Sequence, residues 1–497
     1  MGTNDKTLNP EWIISPEELT SWAQVRDDNL PAFTGSTKWR NYLHFLEQTL
    51  LEFGAVDIFK NSWPFERWYT SDDATNWSLV VDGKSVQVSH YDAYSGSTGP
   101  EGVTAPLVYY DHDDPPQSLK GKIVVFPTIP HPQPPFDDEY LMYSTFNDYE
   151  YRSDDPFGPL FSYIDPAYSI TFDTMYQLEQ QFHEIAMESG AAGLIKVCDM
   201  AYERTAGLYT FPVPSLHDMP GLILDRDAGS QVIEAAKAGK IATLRLEATV
   251  EPSEATQLIA YLPGKDYGSP QDEQILLVNH TDGPSITQDN GALGLLAIVK
   301  YFSNIPMERR DRTLTVFLDC RHYIPGMETA HQNVSWLDRY PDAKKQIVSM
   351  IHMEHLGEMD YREVDGRIEE VGLPEQSYLW VRDNQHLIDM AINAVKTHDL
   401  RRVQVVAPER PGNNGGIQQW WWGVGVICLA EHHLDTGQPY LDIPGYGMAS
   451  FLGYYWTTES GIERWNCDHA LRQIKTMTQL TQFLMGANLA EIQPNPS

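Results

Sequence analysis

The chain has 497 residues, length for two to four domains and a large buried core. Its 69 acidic residues against 35 basic ones give a formal net charge of −34, a field that repels a phosphate backbone, so no nucleic-acid partner is expected. With 42% hydrophobic and 11% aromatic residues the composition is that of a folded globule, not a disordered chain.

The opening MGTNDKTLNPEW lacks the basic and apolar runs of a secretory leader, and no apolar run is long enough to span a bilayer. The expectation is a soluble cytoplasmic protein with no membrane partner, a secreted form with its leader removed being the alternative. Cys198, Cys320, Cys428 and Cys467 are too widely spaced for a disulfide framework and read as reduced thiols. The glycosylation-type triplets at Asn76, Asn279 and Asn333 read as chance occurrences.

In chain order, the first ~70 residues read as helical. Ser15-Pro16-Glu17-Glu18 supplies a cap, a proline at the first helical position and first-turn carboxylates. After Gly35-Ser36, apolar residues from Trp39 to Leu51 recur at helical spacing and stop at Phe53-Gly54. From Asn76 to about Val250 short β-like runs dominate, among them Leu79–Val81, Leu107–Tyr110, Gly121–Phe126 and Leu194–Val197, with one helix over Asp173–Glu188. The stretch 127–163, rich in Pro, Asp, Phe and Tyr, reads as a long surface excursion. From Gln257 onward strands alternate with helices: strands at Leu258–Leu262, Ile275–Val278, Thr313–Leu318, Gln346–Met353 and Gly425–Leu429, helices at Gly291–Phe302, His386–Thr397 and Asp468–Met485. This predicts an α/β fold, a mostly parallel or mixed sheet flanked by helices, with a β-rich insert. The expected divisions are 1–75, 76–255 and 256–497.

In such sheets ligands gather at the carboxyl ends of the strands. Those ends carry His280 and Asp282 with Asp289 beyond them, Arg321-His322-Tyr323, His352-Met353-Glu354-His355, and Glu431-His432-His433. Histidine and carboxylate recurring at successive strand ends is the composition of a metal site, although Asp289-Asn290-Gly291 also reads as an ordinary helix start.

Here the sequence resembles the co-catalytic zinc aminopeptidases of peptidase family 28, in the form carrying an inserted protease-associated domain. VNHTDGPSITQDNGALGLLAIVKYF is similar to the family's H-x-D…D-N-x-x-G block, while APLVYYDHDDPPQSLKGKIVVF and SGAAGLIKV resemble the insert. The resemblance implies that His280 binds a metal, Asp282 orients it and Asp289 bridges two ions. It also exposes departures. The family's Glu-Glu pair, general base and ligand, is replaced by Arg321-His322; the later ligand Asp by Glu354; and the final Tyr-His-Thr reads Tyr455-Trp456-Thr457.

The expected ligand set is therefore His280, Asp289, His322 and Glu354 around one divalent ion, zinc being favoured over iron or manganese, with His355, His432 or His433 as stand-ins for lost ligands. Arg321 cannot act as a base and is suited to holding a carboxylate or an oxyanion. Asp282, Arg321, Tyr323 and His355 are the candidate catalytic residues; Asn414, Trp421, His432, His433 and Trp456 are candidates for substrate contact. The implied function is a divergent metal-dependent hydrolase acting on an amide or related bond of a small, acidic or aromatic, or short peptide-like substrate. The alternatives are a non-hydrolytic metalloenzyme (lyase, cyclase or isomerase) or an inactive binding protein. A homo-oligomer is left open.

Overall fold

A computed structural model describes residues 7–71, 75–129, 181–209, 216–325, 334–375, 377–382, 384–406, 443–450 and 460–492. The 127–163 excursion lies almost wholly outside the described residues, and the Gly425–Leu429 strand wholly so. Both N-terminal helices start as their caps dictate. Ser15 Oγ accepts from the Glu18 amide at 3.2 Å to open Pro16–Asp28, and Ser36 Oγ accepts from the Trp39 amide at 3.0 Å to open Thr37–Glu52. Gly35 and Gly54 flank the second helix at φ +82° and +79°, a left-handed conformation that suits glycine.

The expectation of helix up to residue ~70 is corrected by the next element. Val56–Tyr69 is a long strand, paired antiparallel with Thr249–Leu262 in a register that sets Trp63 opposite Ala255. Its faces alternate weakly, with Asn61 and Trp63 buried among half-exposed neighbours. Only a partner strand almost two hundred residues later completes its backbone bonding.

The main sheet has eight strands in the spatial order Val56–Tyr69, Thr249–Leu262, Thr313–Asp319, Gln274–His280, Ile347–Met353, Gly445–Ser450, Ser377–Val381 and Val403–Val406. The four central strands, from Thr313–Asp319 to Gly445–Ser450, run parallel, and antiparallel pairings flank them on both sides. The chain leaves Gln274–His280 for the strand on one side, then crosses to the strand on the other. His280 thus ends the strand at a topological switch point, where such sheets open a crevice. The helices expected from periodicity are present as Gly291–Ser303, Gln385–Thr397 and Cys467–Gly486. Gly291–Ser303 packs against the strands Gln274–His280 and Ile347–Met353 and is buried over nearly its whole length.

A second eight-stranded sheet is built only from strands between Trp77 and Leu246, with the helix Arg226–Lys237 packed on its Val103–Tyr109, Ile123–Ile129 and Gly193–Cys198 strands. One continuous apolar core joins it to the main sheet. At the junction Phe33 stacks on Tyr209 at 4.3 Å, and Tyr94 donates a hydrogen bond to the Tyr323 carbonyl at 2.6 Å. The hairpin Met359–Val364 with Arg367–Pro374, which sequence reading did not foresee, leans on the second sheet through Glu363 and Arg226. Cys198, Cys320 and Cys467 form no disulfide among the described residues, and Cys428 lies outside them. Among the described residues no helix is long and apolar enough to cross a membrane.

Candidate metal centre

The strand-end residues converge. His280 terminates its strand and places Nδ1 2.7 Å from the Asp282 carbonyl oxygen. A carbonyl only accepts, so Nδ1 carries the hydrogen and Nε2 is left to face the Glu354 carboxylate, 3.0 Å from Oε1. Asp282 thus orients His280 through its backbone, its carboxylate being 3.8 Å from Nδ1. That carboxylate accepts instead from the amides of His322, at 3.3 Å, and Tyr323, at 2.7 Å, and so pins the turn after the Thr313–Asp319 strand.

Asp289 reaches the site across Gly283, whose φ is +149° and where a Cβ would fall 2.0 Å from Asp289 Oδ1. Asp289 Oδ2 accepts from the Ser285 amide at 2.8 Å, and Oδ1 lies 3.9 Å from His280 Nδ1. Behind it stands Arg26, wholly buried, donating Nε to the Asp289 carbonyl at 2.9 Å with Nη2 3.8 Å from Oδ2. No motif links Arg26 to the site; it comes from the first helix through tertiary packing alone.

Glu354 follows the Ile347–Met353 strand and has imidazoles around it: His280, His352 Nε2 at 3.4 Å from Oε1, and His355 Nε2 at 3.9 Å from Oε2. His355 holds a left-handed backbone at φ +52°. The His322 ring stacks on His280 at a centroid distance of 4.0 Å, with Nε2 3.4 Å from Gln288 Nε2. The imidazole set against Glu354 on the second side is His352, which sequence reading left without a role. Tyr323 donates its hydroxyl to Gln288 Oε1 at 2.8 Å.

Arg321 is fully buried and donates Nε and Nη2 to the Asp319 carboxylate, Nη2 at 2.8 Å, an internal ion pair. Asn414, Trp421, His432, His433 and Trp456 lie outside the described residues.

Electrostatics set the protonation pattern. Burial alone would keep the His280 ring neutral, but its bond to Glu354 and the charges of Glu354, Asp289 and Asp282 push its pKa up to about 9. Burial raises Asp289 to about 7 against the pull of His280 and Arg26. Burial also opposes ionisation of Glu354, yet His352 and His280 hold its carboxyl well below the usual range. His322, buried and beside the charged His280, is held well below the usual imidazole range.

The fit to a metal rests on buried atoms without hydrogen-bond partners: Asp289 Oδ1, both Glu354 oxygens and His280 Nε2. With Nδ1 already donating, His280 Nε2 and Glu354 Oε1 turn lone pairs toward each other unless a cation stands between them. That cation is a second proton on the ring or a metal ion. Their separation of 3.0 Å, and 3.4 Å to His352, is close to the roughly 3.3 Å between two ligands of a tetrahedral ion with ~2.0–2.1 Å bonds. Among the described residues, the three side chains whose ligand atoms all lie within 4.8 Å of one another are nevertheless elsewhere, at Asp92, His183 and His217 in the second sheet's part of the chain.

The mixed sheet and its helical cover are the fold seen in solved zinc aminopeptidases. Across 97% of this chain and 99% of its own, a peptidase precursor of family 28 from Shewanella amazonensis superposes with a TM-score of 0.59 at 13% identity. A zinc aminopeptidase from Bacillus subtilis gives 0.53 at 12% identity over 97% of this chain and 98% of that one. An aminopeptidase from Aneurinibacillus sp. gives 0.51 at 12% identity over 94% and 93%. No protein-family model matches the chain, and no curated protein matches it by sequence. The chain resembles the family 28 zinc aminopeptidases in fold.

Proposed function

We propose that the chain is a divergent metal-dependent hydrolase acting on an amide or related bond of a small or short peptide-like substrate. The observation that carries this reading is the convergence of two buried imidazoles on one buried carboxylate where the strands end, His280 Nε2 at 3.0 Å and His352 Nε2 at 3.4 Å from Glu354 Oε1. His280 and Glu354 would hold the ion, zinc being favoured, with Asp289 Oδ1 and His352 Nε2 beside them. A bound divalent ion supplies Lewis acidity toward a carbonyl and lowers the pKa of water.

The protein's own part is positional. Asp282 locks the turn that carries His322 and Tyr323, and Arg26 balances the charge of Asp289. His355, beside Glu354, is placed to take and return a proton. The segment 76–255 is proposed to be a protease-associated-like insert.

A non-hydrolytic reaction is the second reading. It is favoured by one observation: where the family has its base, this chain has Arg321, tied to Asp319, and His322, stacked on His280. The test is metal content by inductively coupled plasma mass spectrometry, coupled to turnover of a panel of aminoacyl and N-acyl anilides before and after chelation. Turnover lost on chelation and restored by zinc is the expected result. Turnover that survives complete metal removal refutes the proposal.

A further inference from the structure

We propose that Asp92, His183 and His217 form a second, separate site for a divalent transition-metal ion, zinc by its donor chemistry. The three come from distant points in the chain, and their ligand atoms all lie within 4.8 Å of one another. Asp92 and His183 are buried, and both His217 nitrogens are buried without a hydrogen-bond partner. An imidazole that leaves water and gains no partner for either nitrogen is destabilising. A metal ion supplies the missing bond.

The surroundings are built to hold these side chains. The Asp92 amide donates to the Gly221 carbonyl at 2.9 Å, and Ser95 Oγ donates to the Asp92 carbonyl at 2.6 Å. Residue 221 has room only for glycine, since a Cβ there would fall 2.6 Å from Asp92 Cβ and 2.7 Å from Oδ2. Asp92 Oδ2 and His183 Nε2 are hydrogen-bonded at 2.6 Å, a contact that an ion between them would replace, and the other Asp92 oxygen takes the Lys196 ammonium at 2.7 Å, the outer contact that ligating carboxylates commonly have. The helical segment carrying His183 is anchored by Phe182, stacked on Phe126 at 4.3 Å. The His217 amide donates to the Tyr94 carbonyl at 3.3 Å.

The donor set selects the ion. Two imidazoles with one carboxylate, its charge shared with Lys196, suit zinc and its neighbours; calcium and magnesium require several oxygen ligands. The site also bears on the first. Tyr94, two residues beyond Asp92, donates to the Tyr323 carbonyl at 2.6 Å, and the Tyr323 amide donates to Asp282. An ion on Asp92 braces the contact between the second sheet and the strand-end cluster.

The test is zinc stoichiometry of the full chain after dialysis against low-micromolar Zn²⁺, for wild type, His217→Ala and His280→Ala. His217→Ala is expected to lose one equivalent that His280→Ala retains, with affinity at that site weakened by at least about 100-fold. Unchanged stoichiometry in His217→Ala, or no zinc in His280→Ala, overturns the proposal. Loss from His217→Ala with none from His280→Ala upholds it while refuting the strand-end metal, so the two readings fail separately. If circular dichroism shows His217→Ala unfolded, His217→Gln carries the same comparison.

Discussion

Gly291 and Gly294 lie within one turn of each other at the start of the Gly291–Ser303 helix, and replacing each by alanine should give unequal outcomes. An alanine is favoured over glycine in a helix by about 1 kcal/mol, so propensity alone predicts that both variants are stabilised. At residue 291 the added Cβ would fall 1.7 Å from the Met353 carbonyl oxygen, a backbone atom that cannot rotate away. Relief to ordinary contact needs a displacement of about 1.5 Å in the peptide leading into Glu354, and breaks the 2.7 Å hydrogen bond from Asn279 Nδ2 to that carbonyl. Overpacking of this kind costs roughly 1–3 kcal/mol or more, and the lost buried hydrogen bond about 1 kcal/mol further. After the propensity gain, Gly291→Ala should destabilise by roughly 1–3 kcal/mol. It should also weaken metal binding, because Glu354 moves with Met353.

At residue 294 the nearest atoms are Leu356 Cδ1 at 2.7 Å and Met353 Cε at 2.8 Å, the ends of flexible side chains. Gly294→Ala should stay within about 1 kcal/mol of wild type. Urea denaturation followed by circular dichroism, with zinc content measured in parallel, reads both effects. A Gly291→Ala protein as stable as wild type would show that the helix does not press on Met353 as described.

Three further outcomes are expected. His469 is buried, and burial together with Arg472 and Arg402 lowers its pKa from the usual 6.5 to about 3, so its stabilising contribution is complete above pH 6.5 and lost as pH falls toward 3. The ceiling is roughly 5 kcal/mol, and His469→Leu should flatten the stability–pH curve in that window; an unchanged slope would count against it. Asp282→Asn keeps one carbonyl oxygen but sets an amide donor against one of the His322 and Tyr323 amides, and should cost about 1–3 kcal/mol by chemical denaturation, a neutral result contradicting the pinning role. Arg226→Met removes the ion pair to Glu363, but Arg226 is 37% exposed, so the loss should not exceed about 1 kcal/mol and should shrink in high salt.

Much of this was legible in the chain itself. Caps at Ser15 and Ser36, the periodic runs that become Gly291–Ser303 and Cys467–Gly486, and the apolar strands before His280, Asp319 and Glu354 are local features, and local physics decides them. The resemblance to family 28 rests on the H-x-D…D-N block, and the fold agrees with it. The α/β fold followed because buried parallel strands must alternate with covering helices.

What the sequence could not supply were relations across long separations. Val56–Tyr69 lacks a clean alternation, and its identity as a strand depends on Thr249–Leu262. Arg26 reaches Asp289, and Arg321 turns onto Asp319, by packing that no motif encodes. His352 comes beside Glu354, and the His322 ring comes to stack on His280, through the register of the strands and the turn after Asp319, which the spacing of histidines along the chain does not give. The Asp92, His183 and His217 group has no spacing signature, because its members belong to three separate elements of a twisted sheet and its flanking segments. Residue types and local periodicity determine which elements form; only the closing of the sheets decides which side chains meet, since that depends on contacts summed over the whole core.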